Sequence, residues 1–145
     1  MSEPITKFTG KYRFLSNFYP CEIEYEGKIY SSVEHAYVAA KTLDIDIREV
    51  IQNLKTAKDA KKFGKQHITL RSNWNEIKVP IMRNLVEQKF QDKELYDKLL
   101  ATFPSELIEG NYWKDTFWGQ CPIGNGKNVL GKILMEIRDD ISAKF

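Results

Sequence analysis

The sequence has little of the chemistry on which metal and redox proteins rely. Cys21 and Cys121 are its only cysteines and His35 and His67 its only histidines, with no CxxC pair. That set offers too few ligands for an obvious zinc site, and both cysteines read as reduced thiols. Long apolar runs are missing too. No stretch approaches the roughly eighteen apolar residues of a membrane span. The opening MSEPITKFTGKYRF has no apolar signal-peptide core, which points to a cytoplasmic protein. Nor does one charge dominate: the formal net charge is +2, so bulk basicity does not argue for sequence-independent binding to nucleic acid, and any such contact must be local. Internal repeats, low-complexity runs and linkers are absent as well.

What is present is the composition of a folded domain: 145 residues, 42% hydrophobic and 29% charged, enough for one core. CEIEYEGKIY alternates apolar and polar residues around Glu26-Gly27, the pattern of two strands joined by a tight turn. Ser31 and Ser32 follow as N-caps, and Val33, Ala36, Tyr37 and Ala40 recur at helical spacing. DIREVIQNL and TAKDAKKFGKQ predict two short helices, the second capped by Thr56 and broken near Gly64. A longer helix begins in SNWNEIKVPIMRNLVEQKF. There Ser72 or Asn73 caps an apolar stripe of Ile77, Ile81, Leu85 and Val86, and Pro80 is a point of kinking. Beyond it, KELYDKLLATF predicts another amphipathic helix and LIEGNY a short strand. NVLGKILMEIRDDI predicts a closing helix with Val129, Ile133, Leu134 and Ile137 on one face. The expected fold class is α+β, a mainly helical single domain over residues 1–145 around a small β-sheet.

Three stretches have residue types suited to chemistry. In YSSVEHAYVAAK, Ser31 and Glu34 have the spacing of a capping box, in which the serine accepts from the N3 amide and the glutamate reaches back to the N-cap amide. A functional reading competes with it. Glu34 and Lys41 lie seven residues apart, two helical turns, and so share a face with Tyr37 and Val38 between them. A carboxylate beside an amine suits acid–base or imine chemistry, and spacing alone does not choose. The second stretch is EGNYWKDTFWGQCPIGNGKN, in a region, residues 110–131, that holds five of the eight glycines and two of the three tryptophans. Glycines let backbone amides approach a phosphate or sugar while aromatic faces stack on a base. Equally, Trp113 and Trp118 can plug a core. GNGKN lacks the spacing of a Walker motif. The third stretch, FLSNFYP, sets Asn17 among aromatics, either as a core cluster or as an amide available to a ligand. Trp74, directly after an N-cap, reads by position as a packing residue, and KDAKKFGKQ as a solvated helix face.

Taken in order, FLSNFYPCEIEYEGKIYSSVEHAYVAAK, NWNEIKVPIMRNLVEQKF, LIEGNYWKDTFWG and GKNVLGKILMEIR resemble the NADAR family, whose YbiA-like members are N-glycosidases. The resemblance covers nearly the whole chain, from about Phe8 to Arg138. The resemblance implies a small α+β hydrolase that cleaves a C1′–N bond between ribose and an amine, with neither metal nor cofactor. Two substrate classes come with it: ribosylamino pyrimidine intermediates of riboflavin biosynthesis, and ADP-ribose attached to the exocyclic amine of guanine in nucleic acid. It also implies functional roles for Glu34 in SVEHAY, Trp74 in SNW, Asp115 in KDTFWG and Lys41 at the end of the first block. The aromatic-rich GNYWKD departs from the family pattern just before Asp115, where substrate choice can be shaped.

Breaking such a bond builds positive charge at C1′, which carboxylates stabilise. Glu34 and Asp115 are therefore expected to face one cavity, within roughly 10 Å of each other. Glu34 would move the proton. Lys41 would attack C1′ to form a Schiff base, bind a hydroxyl, or pair with Glu34. By residue type, Phe18, Trp74 and Trp118 are stacking walls, Asn17 and His35 further substrate contacts, and Gly119, Gly126 and Asn128 liners of the ribose or phosphate side. The partner that the resemblance implies is a ribosylated small molecule or ADP-ribosylated nucleic acid, and no membrane is expected to be involved. A non-catalytic module binding ADP-ribose or a nucleotide would keep the same aromatics; only catalysis needs both carboxylates.

Overall fold

The computed structural model describes residues 3–110, 115–120 and 124–144, with backbone alone over 141–144. The chain divides into two compact units: Asn17–Gln91, and Met1–Ser16 combined with Asp92–Phe145. Helices predominate and the sheet is a two-stranded antiparallel one, so the class is α+β, as the sequence predicts.

The first unit starts with the hairpin β1 (Pro20–Tyr25) and β2 (Lys28–Ser32). Glu26 and Gly27 both take positive φ, 46° and 86°, the condition for a tight turn whose twist matches its strands. Ile23 and Tyr30 pair across the hairpin and are both buried, which fixes the face that meets the helices. Four helices follow: α1 (Val33–Ala40), α2 (Ile45–Gln52), α3 (Ala57–His67) and α4 (Trp74–Lys89). Helix α1 touches both strands and the other three helices, and is the centre of this unit. Arg48 of α2, itself buried, donates from Nε to the carbonyls of Ala39 (3.2 Å) and Thr42 (2.9 Å). Its Nη1 meets Glu26 at 2.7 Å, tying the end of α1 to the hairpin turn.

Two helical expectations need correction. Helix α3 does not break at Gly64 but runs on to His67. A Cβ at Gly64 would stand 2.9 Å from Cγ1 of Val38, so this glycine serves the close packing of α3 on α1. In α4 the buried side is Trp74, Met82, Leu85, Val86 and Lys89, with Ile77 and Ile81 only half-buried.

The second unit has a 3₁₀ turn at Gly10–Leu15, helix α5 (Lys93–Leu100) and helix α6 (Val129–Lys144), with α5 against α6. Ile5, Leu15, Leu99, Leu107, Leu130, Ile133 and Leu134 form its core. Arg138 clips α6 to the segment after α5 by donating to Thr102 Oγ1 (3.0 Å) and the Ser105 carbonyl (2.7 Å). In place of the strand expected at LIEGNY there are isolated parallel bridges, Ile5 with Leu107 and Gly110 with Gln120. Cys21 is half-buried and in no disulfide among the described residues, while Cys121, Trp113 and the end of LIEGNY lie outside them. No helix among the described residues is long and apolar enough to cross a membrane.

Candidate active site

Helix α1 begins one residue later than a Ser31 cap requires. Ser31 still belongs to β2, and it is Ser32 whose Oγ accepts from the His35 amide at 3.0 Å. The capping pair is therefore Ser32 and His35, and the expected Ser31–Glu34 box does not form. His35 also closes the cap through its ring. Its Nε2 is 3.0 Å from the Leu54 carbonyl, which can only accept, so Nε2 carries the proton and Nδ1 accepts from the Ser32 hydroxyl at 2.6 Å. Burial pushes this imidazole below its ordinary value and keeps it neutral at pH 7. Expected as a substrate contact, His35 has both ring nitrogens bonded inside the protein.

The one-residue shift puts Glu34 at N2. Its amide, one of the donors a helix start leaves unsatisfied, goes to the Asn17 carbonyl at 3.1 Å, so FLSNFYP is fastened to the first turn of α1. The carboxylate sits at the positive end of the helix dipole, a favourable place for negative charge. Every residue of α1 except Glu34 is buried. Lys41, the C-cap, is half-buried and lies on the same face two turns on, roughly 10 Å along the axis. A helix packed on almost every side thus opens to solvent at a carboxylate and an amine.

Tyr37 and Trp74 complete this face. The Lys41 carbonyl accepts from the Arg71 amide at 2.9 Å, and the Arg71 carbonyl from the Trp74 amide at 3.1 Å. This staple carries the start of α4 to the end of α1 and sets the Trp74 indole 5.2 Å from the Tyr37 ring, tilted by 55°. Lys41 Nζ lies 5.2 Å from the centroid of the same Tyr37 ring. Asn17, Glu34, Lys41 and Trp74, picked from the sequence, are joined here by bonds and ring contacts with Tyr37, which was not picked. The signal for it was its place between Glu34 and Lys41 on the helical face. Phe18 is exposed, with Lys61 Nζ 5.8 Å from its ring.

The remaining expected residues lie in the second unit. Asp115 Oδ1 accepts from the amides of Phe117 (3.2 Å) and Trp118 (2.9 Å), an Asx turn that shapes the loop. Trp118 is half-buried and edge-on to Phe117. Carbonyls of residues 116–119 accept from the amides of residues 127–130, so the start of α6 is filled by the loop itself. Gly126, at φ 142°, lets its backbone pass the Gly119 carbonyl, which a Cβ would strike. Asn128 is buried at φ 49°. It donates from Nδ2 to the Leu107 carbonyl (2.9 Å) and accepts at Oδ1 from the Glu109 amide (3.0 Å). Gly119, Gly126 and Asn128, expected to line a ribose or phosphate, thus hold the loop's own backbone.

An open groove of about 350 Å³ in this unit, lined by Lys11, Tyr12, Phe14, Lys98 and Phe103 among others, contains none of the expected residues. Chemistry weighs against it, since it offers no carboxylate for a cleavage reaction. Among the described residues no three His, Cys, Asp or Glu side chains cluster as metal ligands.

The NADAR domain model matches residues 6–142, across both units. The chain belongs to the NADAR family. This NADAR domain is 38% identical over 147 residues to N-glycosidase YbiA of Escherichia coli K12, covering 98% of this chain and 91% of that protein. It is 39% identical over 130 residues to a riboflavin biosynthesis protein of Vibrio vulnificus. That match takes in 88% of this chain but only 35% of the Vibrio protein, so the domain spans about a third of that relative. The NMR structure of the E. coli protein YbiA superposes with a TM-score of 0.85 at 36% identity, covering 99% of this chain and 88% of that one.

Proposed function

We propose that this NADAR domain is an N-glycosidase that hydrolyses the C1′–N bond between a ribose and an amine. The observation that carries the reading is the opening of α1, where Glu34 alone among the helix residues escapes burial and Lys41 follows on its face. The names of its relatives, N-glycosidase and riboflavin biosynthesis protein, support the reaction class and make a ribosylamino pyrimidine the first substrate to test. ADP-ribose on the exocyclic amine of guanine in nucleic acid is the second.

In the proposed reaction water adds to C1′ as the C1′–N bond breaks, and the amine leaves with a proton. Glu34 handles the protons of the water and the amine, a contribution of about 10²–10⁴ in rate for a placed acid–base. The resemblance to the family implies a functional role for Asp115 as a second carboxylate. Trp74 backs the site, and Phe18 offers a face for the base. No metal or cofactor takes part. His35 positions Glu34 through the cap, and Asn17 does so through its carbonyl.

Incubation with a ribosylaminopyrimidine phosphate and with an ADP-ribosylated guanine oligonucleotide, followed by product analysis, tests the reading. Free amine and a reducing ribose from either substrate support it, and the productive arm names the substrate class. Tight binding of both without product would establish a non-catalytic module instead.

A further inference from the structure

Tyr37 is the buried member of the α1 face, with rings or charge on two sides. Trp74 lies against it at 5.2 Å, and Lys41 Nζ is 5.2 Å from its centroid, within the roughly 6 Å over which a ring face attracts a cation. Its neighbours cannot move readily: the Arg71 amide holds the Lys41 carbonyl, and Trp74 is itself buried. The ring quadrupole attracts an ammonium and has no such attraction for a neutral amine. A lysine resting there is held in place.

We propose that Tyr37 is a positioning residue that acts through Lys41, its ring face fixing the amine and favouring the ammonium form in the resting site. The inference rests on the N-glycosidase reading for its role in turnover, but not for its effect on Lys41. On this view Lys41 meets the substrate first as a cation directed at ribose hydroxyls or phosphate. Imine formation at C1′ would require the substrate to draw the amine off the ring and remove its proton. The coupling to Lys41 is carried by the π-face.

Replacing Tyr37 with phenylalanine and then with singly, doubly and triply fluorinated phenylalanines drains the ring quadrupole at nearly constant volume, which preserves packing. Labelling by acetic anhydride, read at the Lys41 peptide by mass spectrometry, reports how much neutral amine is present and needs no turnover. Labelling of Tyr37→Phe should match wild type, and the trifluorinated ring should raise it roughly two- to five-fold, with intermediate rings between. Tyr37→Leu should give the same rise and raise KM more than it lowers kcat, while Tyr37→Phe keeps the wild-type KM. Indifference of Lys41 labelling to fluorination, in proteins melting at the wild-type temperature, would overturn the proposal. If the labelling series behaves as expected but no variant cleaves either ribosylated substrate, the N-glycosidase reading fails and the ring–lysine coupling stands.

Discussion

Two stretches of this chain looked like ligand sites for different reasons, and the structure treats their polar groups in opposite ways. In the loop region from Asp115 to Asn128, the glycines and the asparagine sustain the loop itself. Asn128 bridges Leu107 and Glu109, Gly126 passes the Gly119 carbonyl, and the amides that could cradle an anion donate to carbonyls. In α1 the reverse holds. The motif that resembled a capping box is displaced by one residue, Ser32 and His35 take the cap, and Glu34 is left on the open side of a buried helix. A glycine- and aromatic-rich loop advertises ligand binding by composition, yet its backbone must satisfy its own hydrogen bonds first. Glu34, half-buried on an otherwise buried helix, is not the residue that caps it.

The comparison breaks most visibly at Asp115, which belongs to the self-supporting loop but is proposed to act in catalysis. Asp115→Asn keeps an Oδ1 acceptor for the amides of Phe117 and Trp118. The loop should survive while kcat falls by about 10²–10³. Full activity in this variant would return Asp115 to the loop. Asn128→Ala should do the opposite, leaving the Leu107 carbonyl and the Glu109 amide without their partner and forcing alanine into a left-handed conformation. A loss of about 2–4 kcal/mol in urea unfolding is expected. Undiminished stability with lost turnover would make Asn128 a substrate contact after all.

Lys89 extends the comparison to an amine that the fold, not the site, has buried. It lies among Tyr19 and Phe90, and burial pushes it down to about 7. Its folded value lies below its unfolded one, near 10.5, so the unfolded chain binds the extra proton between those values. Stability therefore rises with pH from about 7 to 10.5 on account of this group. Lys89→Met should raise stability at pH 7 by on the order of 2 kcal/mol and flatten that rise, as unfolding at several pH values will show. The smallest effect is expected from chelation: excess EDTA should leave turnover unchanged. A loss reversed by zinc or magnesium would bring a metal into the mechanism.

Much of the fold was legible because its signals are local. The alternation around Glu26-Gly27 and the cap at Thr56 act through immediate neighbours. What escaped depended on contacts distant in sequence. Gly64 breaks a helix by propensity, but here Val38 needs the space it leaves. The stripe of α4 turned toward Met82 because helix packing, not the count of apolar residues, chose the face. Ser31 and Ser32 are equivalent as caps in sequence, and strand pairing of Pro20 with Ser32 settled the register. At the site, the shared face of Glu34 and Lys41 was readable from helical spacing, which did not choose between a cap and chemistry, whereas the structural duties of His35 and Asn128 depend on the carbonyls of Leu54 and Leu107. Tyr37 was hidden as an ordinary core aromatic.

The most direct test of the central claim is Glu34→Gln, assayed for cleavage of the ribosylated substrate and for thermal unfolding on the same preparation. Since Ser32 and His35 form the cap, the melting temperature should stay within a degree or two while kcat falls by about 10²–10⁴. A variant that melts early yet keeps the wild-type kcat would show that Glu34 serves the helix and not the reaction.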